Sequence, residues 1–435
     1  MFFSRRHFSK LVITTLLSMA VSCTEQPGRD ADQQHHGQVE IFSNWTAGGE
    51  EEALRVIVDA YERKFPSVTV INGATSGGTM ARELELRKRM TDNLPPDVFQ
   101  VHGGRELIGV WVQPKGISDD SANKMEDLTF LFDEEGWRRA FPPRLLDIVS
   151  FRQRIYSVPL TIHRGNGVFY NVHVFAKHGI RVPKTVEELK TAATTLQARG
   201  VTPFALATKY PWPILMMWED LLLARGGPAF FNDYFAGRLR GDEAIVRSSL
   251  EDLNALFGFV NTDSGTLSWD QAAKKVALGE AAMTFMGDWA KGFFSSEKGG
   301  RLEPQTDFDV FASPGTEKSF IVITDTFCLP RGATSRANAI EFIRLAGSRE
   351  IQSAFSMKKG SIPARKDVDA SKFDAMARAT IRDFSTVDLV PSLAHGSAAD
   401  EEYVTSTGAA LAAFFVDRNV EKALGVLRAT YARLR

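Results

Sequence analysis

The chain has 435 residues, 44% hydrophobic and 24% charged, with 52 basic against 53 acidic side chains. That is enough for about two or three domains, the composition excludes a disordered or fibrous chain, and a net charge of −1 excludes a nucleic-acid binder driven by counterion release. Cys23 and Cys328 are the two cysteines, too few for a disulfide framework or a cysteine-built zinc or iron–sulfur cluster.

Taken in chain order, Arg5, Arg6 and Lys10 precede an apolar stretch from Leu11 to Val21. A basic front and a short apolar run predict a secretory signal over residues 1–22, too short to span a bilayer stably. Ser4 to Lys10 resembles a twin-arginine export motif, and Ala20-Val21-Ser22-Cys23 resembles a bacterial lipobox. Processing there makes Cys23 the lipidated first residue of an exported, periplasmic or cell-surface protein that touches the membrane only through its anchor. Residues 23–38, rich in Gln, Asp, Gly and His, read as a flexible tether.

Val39 to Ser43 alternates as a strand does. Leu54, Ile57, Val58, Tyr61 and Phe65 then recur at helical spacing up to Pro66, and Val68 to Ile71 is β-branched. A second unit follows, with a helix through Met80, Leu84 and Met90 and a strand at Val98–Val101. Further on, Gln271–Leu278 is predicted helical, Ala281–Met286 a strand and Ala337–Leu345 a helix. Strand–helix alternation predicts α/β layers with parallel-rich sheets, and the length exceeds one core, so two lobes are expected. Cys328, between Phe327 and Leu329, reads as a buried free thiol.

In open parallel sheets ligands bind beyond the carboxyl ends of the strands. The residues found there are Asn44, Trp45 and Glu50-Glu51-Glu52, then His102 with Gly103-Gly104, then Gly287, Asp288 and Trp289. None of these forms a phosphate cradle, and there is no Walker lysine loop, glycine fingerprint, His-Glu-x-x-His helix or nucleophile elbow. No catalytic residue, metal or cofactor is therefore predicted. A secreted glycosidase with Asp288 and Glu50 as its carboxylate pair is the enzyme alternative, without a motif that positions a nucleophile or a water.

Six ordered motifs carry a resemblance: Trp45-Thr46-Ala47-Gly48-Gly49-Glu50, Pro95-Pro96-Asp97 through His102, Ser157-Val158-Pro159, Met286-Gly287-Asp288-Trp289, Lys359-Gly360-Ser361-Ile362-Pro363-Ala364-Arg365, and His395-Gly396. Together they resemble the extracellular solute-binding proteins of bacterial ABC sugar importers, closest to the glucose- and mannose-binding members. The resemblance implies a two-lobed periplasmic-binding-protein fold of type II, with several hinge crossings. It implies an N-terminal lobe over 39–160 completed by about 325–365, and a C-terminal lobe over 161–324 completed by about 366–435. It further implies a monomer that takes a monosaccharide in the cleft and delivers it to ABC permease subunits. A receptor subunit for chemotaxis or signalling is the alternative with the same pocket.

The sugar contacts implied by the resemblance are Trp45, Glu50, His102, Asp288, Lys359 and His395. Asn44 stands where these binders often carry a first of two tryptophans, giving a smaller stacking platform or an added hydrogen bond. Gln100, Trp218 and Trp289 join the expected set, with Trp269, His163 and Asp325 as secondary candidates and His163 read as structural near the hinge. Trp218 lies on an amphipathic helix before Glu219-Asp220, where core and stacking roles are both open. The chemistry suits a pyranose: an indole covers a C–H face, and charged groups bond the hydroxyl rim.

Overall fold

The computed structural model describes residues 35–75, 78–114, 120–239 and 243–434. The expected signal segment, Cys23 and the tether up to Gln34 lie outside them. Strand β1 (Gly37–Phe42), helix α1 (Gly48–Lys64), strand β2 (Val68–Asn72), helix α2 (Gly78–Thr91) and strand β3 (Val98–His102) make two successive βαβ units. Both β2 and β3 pair in parallel with β1. Helix α1 buries Leu54, Ile57, Val58 and Tyr61 along one face, and Pro66 after its cap keeps it from continuing. The end of the expected tether is docked: Gly37 and Gln38 already belong to β1, and the His35 ring pairs with Asn338 Oδ1 at 2.9 Å.

Strand β4 (Val158–Arg164) adds to the same sheet, and the chain then starts a second one with β5 (Gly167–Asn171) and β6 (Thr202–Phe204). Helix α3 (Trp212–Phe235) follows, broken at Gly227 (φ 72°, ψ 174°) ahead of Pro228. Helix α4 (Trp269–Ala277), strand β7 (Ala281–Phe285), helix α5 (Trp289–Ser295) and strand β8 (Phe308–Ala312) complete this part. Strand β9 (Ser319–Cys328) returns to the first sheet, followed by α6 (Arg336–Ala346), α7 (Arg349–Lys359), β10 (Ile362–Pro363), β11 (Asp388–Pro391) and α8 (Glu401–Asp417).

The larger sheet runs β10-β4-β9-β3-β1-β2, with β11 also on β9, and the smaller runs β8-β5-β7-β6. Both are mixed rather than parallel-rich. Strand β9 is antiparallel to β3 and β4, β10 to β4, and β5 to both β7 and β8. Parallel neighbours need a long crossover, usually a helix; β9 instead arrives directly from the other sheet, which frees it to run against its neighbours.

Each sheet has its own apolar core. One gathers Ile41, Phe99, Phe132, Ile162, Phe327 and Phe342; the other gathers Phe169, Phe204, Met217, Phe285, Phe308 and Leu411. The chain passes between these two lobes after β4, before β9 and after β11. Cys328 is buried and free, its Sγ donating to Phe99 O at 3.3 Å. No helix among the described residues is long and apolar enough to cross a membrane.

The lobes also meet directly, through glycines. A Cβ on Gly49, at the start of α1, would lie 2.5 Å from the Gly292 carbonyl in α5; one on Gly292 would lie 2.4 Å from Lys359 O. Gly360, whose φ of +87° already excludes most side chains, would clash with Gly292 N at 2.4 Å. Backbone therefore faces backbone at this junction.

Candidate binding site

The site is built where elements begin or end. Asn44 and Trp45 follow β1, Glu50 sits in the first turn of α1, and His102 is the last residue of β3. Lys359 closes α7, stopped by left-handed Gly360. His163 lies near the end of β4 and Asp325 in β9, at a register shift between Asp325 and Thr326. Such a bulge re-aims a side chain.

The opposite lobe contributes differently. Trp212, Trp269 and Trp289 are each the first residue of a helix, α3, α4 and α5. Helical side chains tilt toward the N-terminus, so a residue at the first position projects past the helix end. These three indoles, with Ile323, His395 and the residues above, enclose one cavity of about 50 Å³.

The polar lining is a continuous network. Lys359 Nζ donates to Glu50 Oε1 at 2.5 Å, stands 3.6 Å from Asp325 Oδ2, and lies 5.1 Å from the Trp45 ring centre. Asp325 also accepts from Gln100 Nε2 at 2.7 Å, pairs with His163 Nε2 at 3.1 Å and sits 3.5 Å from His102 Nε2. The far nitrogen of His163 meets Asp288 Oδ1 at 2.5 Å. Behind His102, its Nδ1 bonds Glu106 Oε2 at 2.6 Å, and buried Arg82 ties Glu106 to Gln100. Only Asn44 breaks the pattern within this lining: its Oδ1 is buried without a hydrogen-bond partner.

Burial sets the charge states, and neighbours correct it. Burial disfavours charge on His163, but Asp288 and Asp325 outweigh it and raise its pKa; with a carboxylate at each nitrogen, the ring suits the cation. Burial pushes His102 down to about 3 and His395 well below the usual histidine range. The Asp325 carboxylate is also buried, yet Lys359, His163 and His102 hold it far below the usual range. Burial raises Glu50 despite Lys359, and takes Glu106 up to about 7.

Of the residues expected from sequence, Trp45, Glu50, His102, Lys359, His395, Asn44 and Trp289 line the cavity. Three do not. Asp288 stands behind His163, bonding that ring and Arg164 N (3.1 Å) rather than facing the cavity; it occupies the N-cap position of α5 without a side-chain cap bond. Gln100 is fully buried behind Asp325, the acid it orients. Trp218 is a core residue, its Nε1 donating to Ser249 Oγ at 3.1 Å, because α3 is buried on every side from Pro213 to Leu223 and is not amphipathic there. Its neighbour Glu219, raised to about 7 by burial, accepts from the Leu393 and Ala394 amides at 2.5 and 3.2 Å and so holds the turn carrying His395.

Trp212 and Ile323 were not anticipated, and His163, Trp269 and Asp325 carry more of the lining than their secondary rank implied. Asp325 had a signal: an acid inside the apolar run Phe320–Phe327 must have a buried partner. Trp45 is less of a platform than expected. At 1% exposure it packs against Phe327 and Phe355, with ring centres 5.6 and 5.3 Å away. Among the described residues no cluster of His, Cys, Asp or Glu is arranged for a metal. The arrangement offers acceptors, donors and indole faces to a small, hydroxyl-rich ligand.

Comparison with known proteins identifies the family and the fold. The chain is 32% identical over 419 residues to an uncharacterized extracellular-binding protein of an ABC transporter from Pyrococcus horikoshii, covering 95% of this chain and 92% of the relative. It is 28% identical over 378 residues to a xylose/arabinose-binding protein of Haloferax volcanii, covering 85% and 79%. Its fold matches a bacterial solute receptor with a stated exclusive preference for β-D-galactopyranose, at a TM-score of 0.77 and 18% identity over 92% of this chain and 98% of that one. The model of the bacterial extracellular solute-binding proteins matches residues 47–353. The chain belongs to that family, one of binding proteins rather than enzymes.

Proposed function

We propose that this protein is the sugar-capturing component of an ABC importer, taking up a glucose- or mannose-like monosaccharide between its lobes and presenting it to the membrane permease. The proposal includes export by the N-terminal signal, a lipid anchor on Cys23, and action as a monomer without a cofactor. The observation that carries it is the pairing of two unlike walls. Glu50, Asp325, Lys359 and His102 face three indoles across one cavity, and a pyranose has a hydroxyl rim and C–H faces to match. The unpartnered Asn44 Oδ1 supports this, since a sugar hydroxyl supplies the missing donor. The name of the Haloferax relative, a xylose/arabinose-binding protein, supports cargo of single-ring size.

A cavity of about 50 Å³ has room for only a few waters, so loading requires the lobes to part and then close on the ring. Hydroxyls then replace the bonds the charged groups make among themselves. Each such charged hydrogen bond contributes about 1.5–3 kcal/mol. The test is calorimetry of the mature chain, stripped of endogenous ligand, against glucose, mannose, galactose and xylose. One-to-one binding of one sugar, lost in Asp325→Asn, is expected; silence across the panel would falsify the reading.

A further inference from the structure

A second cavity, about 260 Å³, abuts the first. The half-buried Trp212 belongs to the walls of both. On the inner side its ring centre is 6.3 Å from Trp289 and 5.9 Å from His395. On the outer side it shares a wall with Tyr210, Leu215, Val404 and Gly408. Room there depends on the glycine, since a Cβ on Gly408 would already sit 3.2 Å from both Pro211 and Leu215. The two spaces also share a polar partition: Glu106, which bonds His102 of the first cavity, lines the second.

We propose that the Trp212 indole is a specificity-determining partition that confines the cargo to one sugar ring. The inference rests on the sugar-binding reading above. The outer cavity is roughly five times the inner one in volume (260 against 50 Å³), and its lining is the kind a pyranose uses. Val110, Leu215 and Val404 offer apolar surface, and Glu83, Arg87 and Glu106 offer acceptors and donors. What keeps a second ring out is the indole standing between, where a glycosidic oxygen and the next ring have to pass. Pro211 and the first turn of α3 set its backbone, and the neighbouring Trp289 and His395 rings, 6.3 and 5.9 Å away, pack against the indole on its inner side.

The test measures the affinity of the mature chain for glucose, mannose and galactose and for α- and β-linked disaccharides of glucose, in wild type, Trp212→Ala and Trp212→Leu. In wild type the best monosaccharide is expected to bind about 100-fold tighter than any disaccharide, the scale on which a filled site rejects an extra group. In Trp212→Ala the monosaccharide weakens about tenfold through lost stacking, while at least one disaccharide gains enough to match or pass it. Thermal melts establish that each variant is folded, and Trp212→Leu carries the test if the alanine variant is not. Wild type binding a disaccharide as tightly as a monosaccharide overturns the partition, as does a folded variant that gains no disaccharide. Wild type that binds neither class refutes the sugar reading itself, a result distinct from either of those.

Discussion

The larger-sheet lobe gives the cleft Glu50, Asp325, Lys359 and His102, whereas the smaller-sheet lobe gives it Trp212, Trp269 and Trp289. The charged wall holds itself together. Each group already has a partner, and Gln100, Arg82 and Glu106 form a layer behind it. The aromatic wall differs within itself: Trp289 is buried in its lobe's core, whereas Trp212 and Trp269 are half-buried at the edge of that core. A buried charge that loses its partner is costly, while a half-buried indole at a core's edge is more easily replaced. Stability is therefore concentrated in one wall, and freedom to change cargo in the other.

The contrast can be broken most forcefully at Lys359. Lys359→Met leaves Glu50 buried without its cation and strips Asp325 of one of its two, Lys359 and His163, and is expected to cost about 3–5 kcal/mol of folding stability in urea titration, along with sugar binding. A loss below about 1 kcal/mol, the level of an exposed pair, would mean the charged wall is not held by its internal pairs. Next in size, Trp45→Ala empties a packed position and is expected to cost about 3 kcal/mol. The half-buried Trp269, on the other wall and 5.7 Å from the Phe293 ring, should lean the other way: Trp269→Ala lowers sugar affinity about tenfold by calorimetry while costing about 1–2 kcal/mol of stability, less than Trp45→Ala.

The pH dependence sharpens the same comparison. His163 has its pKa raised in the folded protein by Asp288 and Asp325. Its contribution is therefore fully present below about pH 6.5, the unfolded value, and is lost as pH rises through the folded one. His163→Gln is expected to flatten that alkaline decline in a series of thermal melts, and an unchanged slope would show that the ring is not held as a cation. The smallest effect on binding is assigned to Trp218→Phe. It removes one hydrogen bond to Ser249 and opens a small cavity at a fully buried position, costs about 2 kcal/mol and leaves sugar affinity unchanged.

The early βαβ units were legible because their apolar residues keep strand and helix periods from Val39 to Val101, and the strand ends pointed to Asn44, Trp45, Glu50 and His102, which line one cavity. Beyond them, strand direction was hidden. Nothing local in Ser319–Cys328 tells that it enters from the other sheet and runs antiparallel to β3. The same long-range pairing decides which aspartate faces the cavity. Asp325 lies opposite His102 and Thr161 across two neighbouring strands, whereas Asp288, in the more recognisable motif, ends up behind a histidine. Trp212 was invisible for a related reason. A tryptophan at a helix start has meaning only once the other lobe has folded opposite it.

The glycine junction between Gly49, Gly292 and Gly360 has a mechanical consequence. Surfaces faced with side chains can yield by changing rotamers, so their closed spacing adjusts to what lies between them. Main chain against main chain has no such compliance, so on the sugar-capture reading proposed above the junction is expected to act as an end-stop. On that reading the hinge angle at full closure is a property of the polypeptide rather than of the enclosed molecule. A membrane partner touching both lobes would then receive a two-valued signal, shut or not shut, with the identity of the passenger hidden inside.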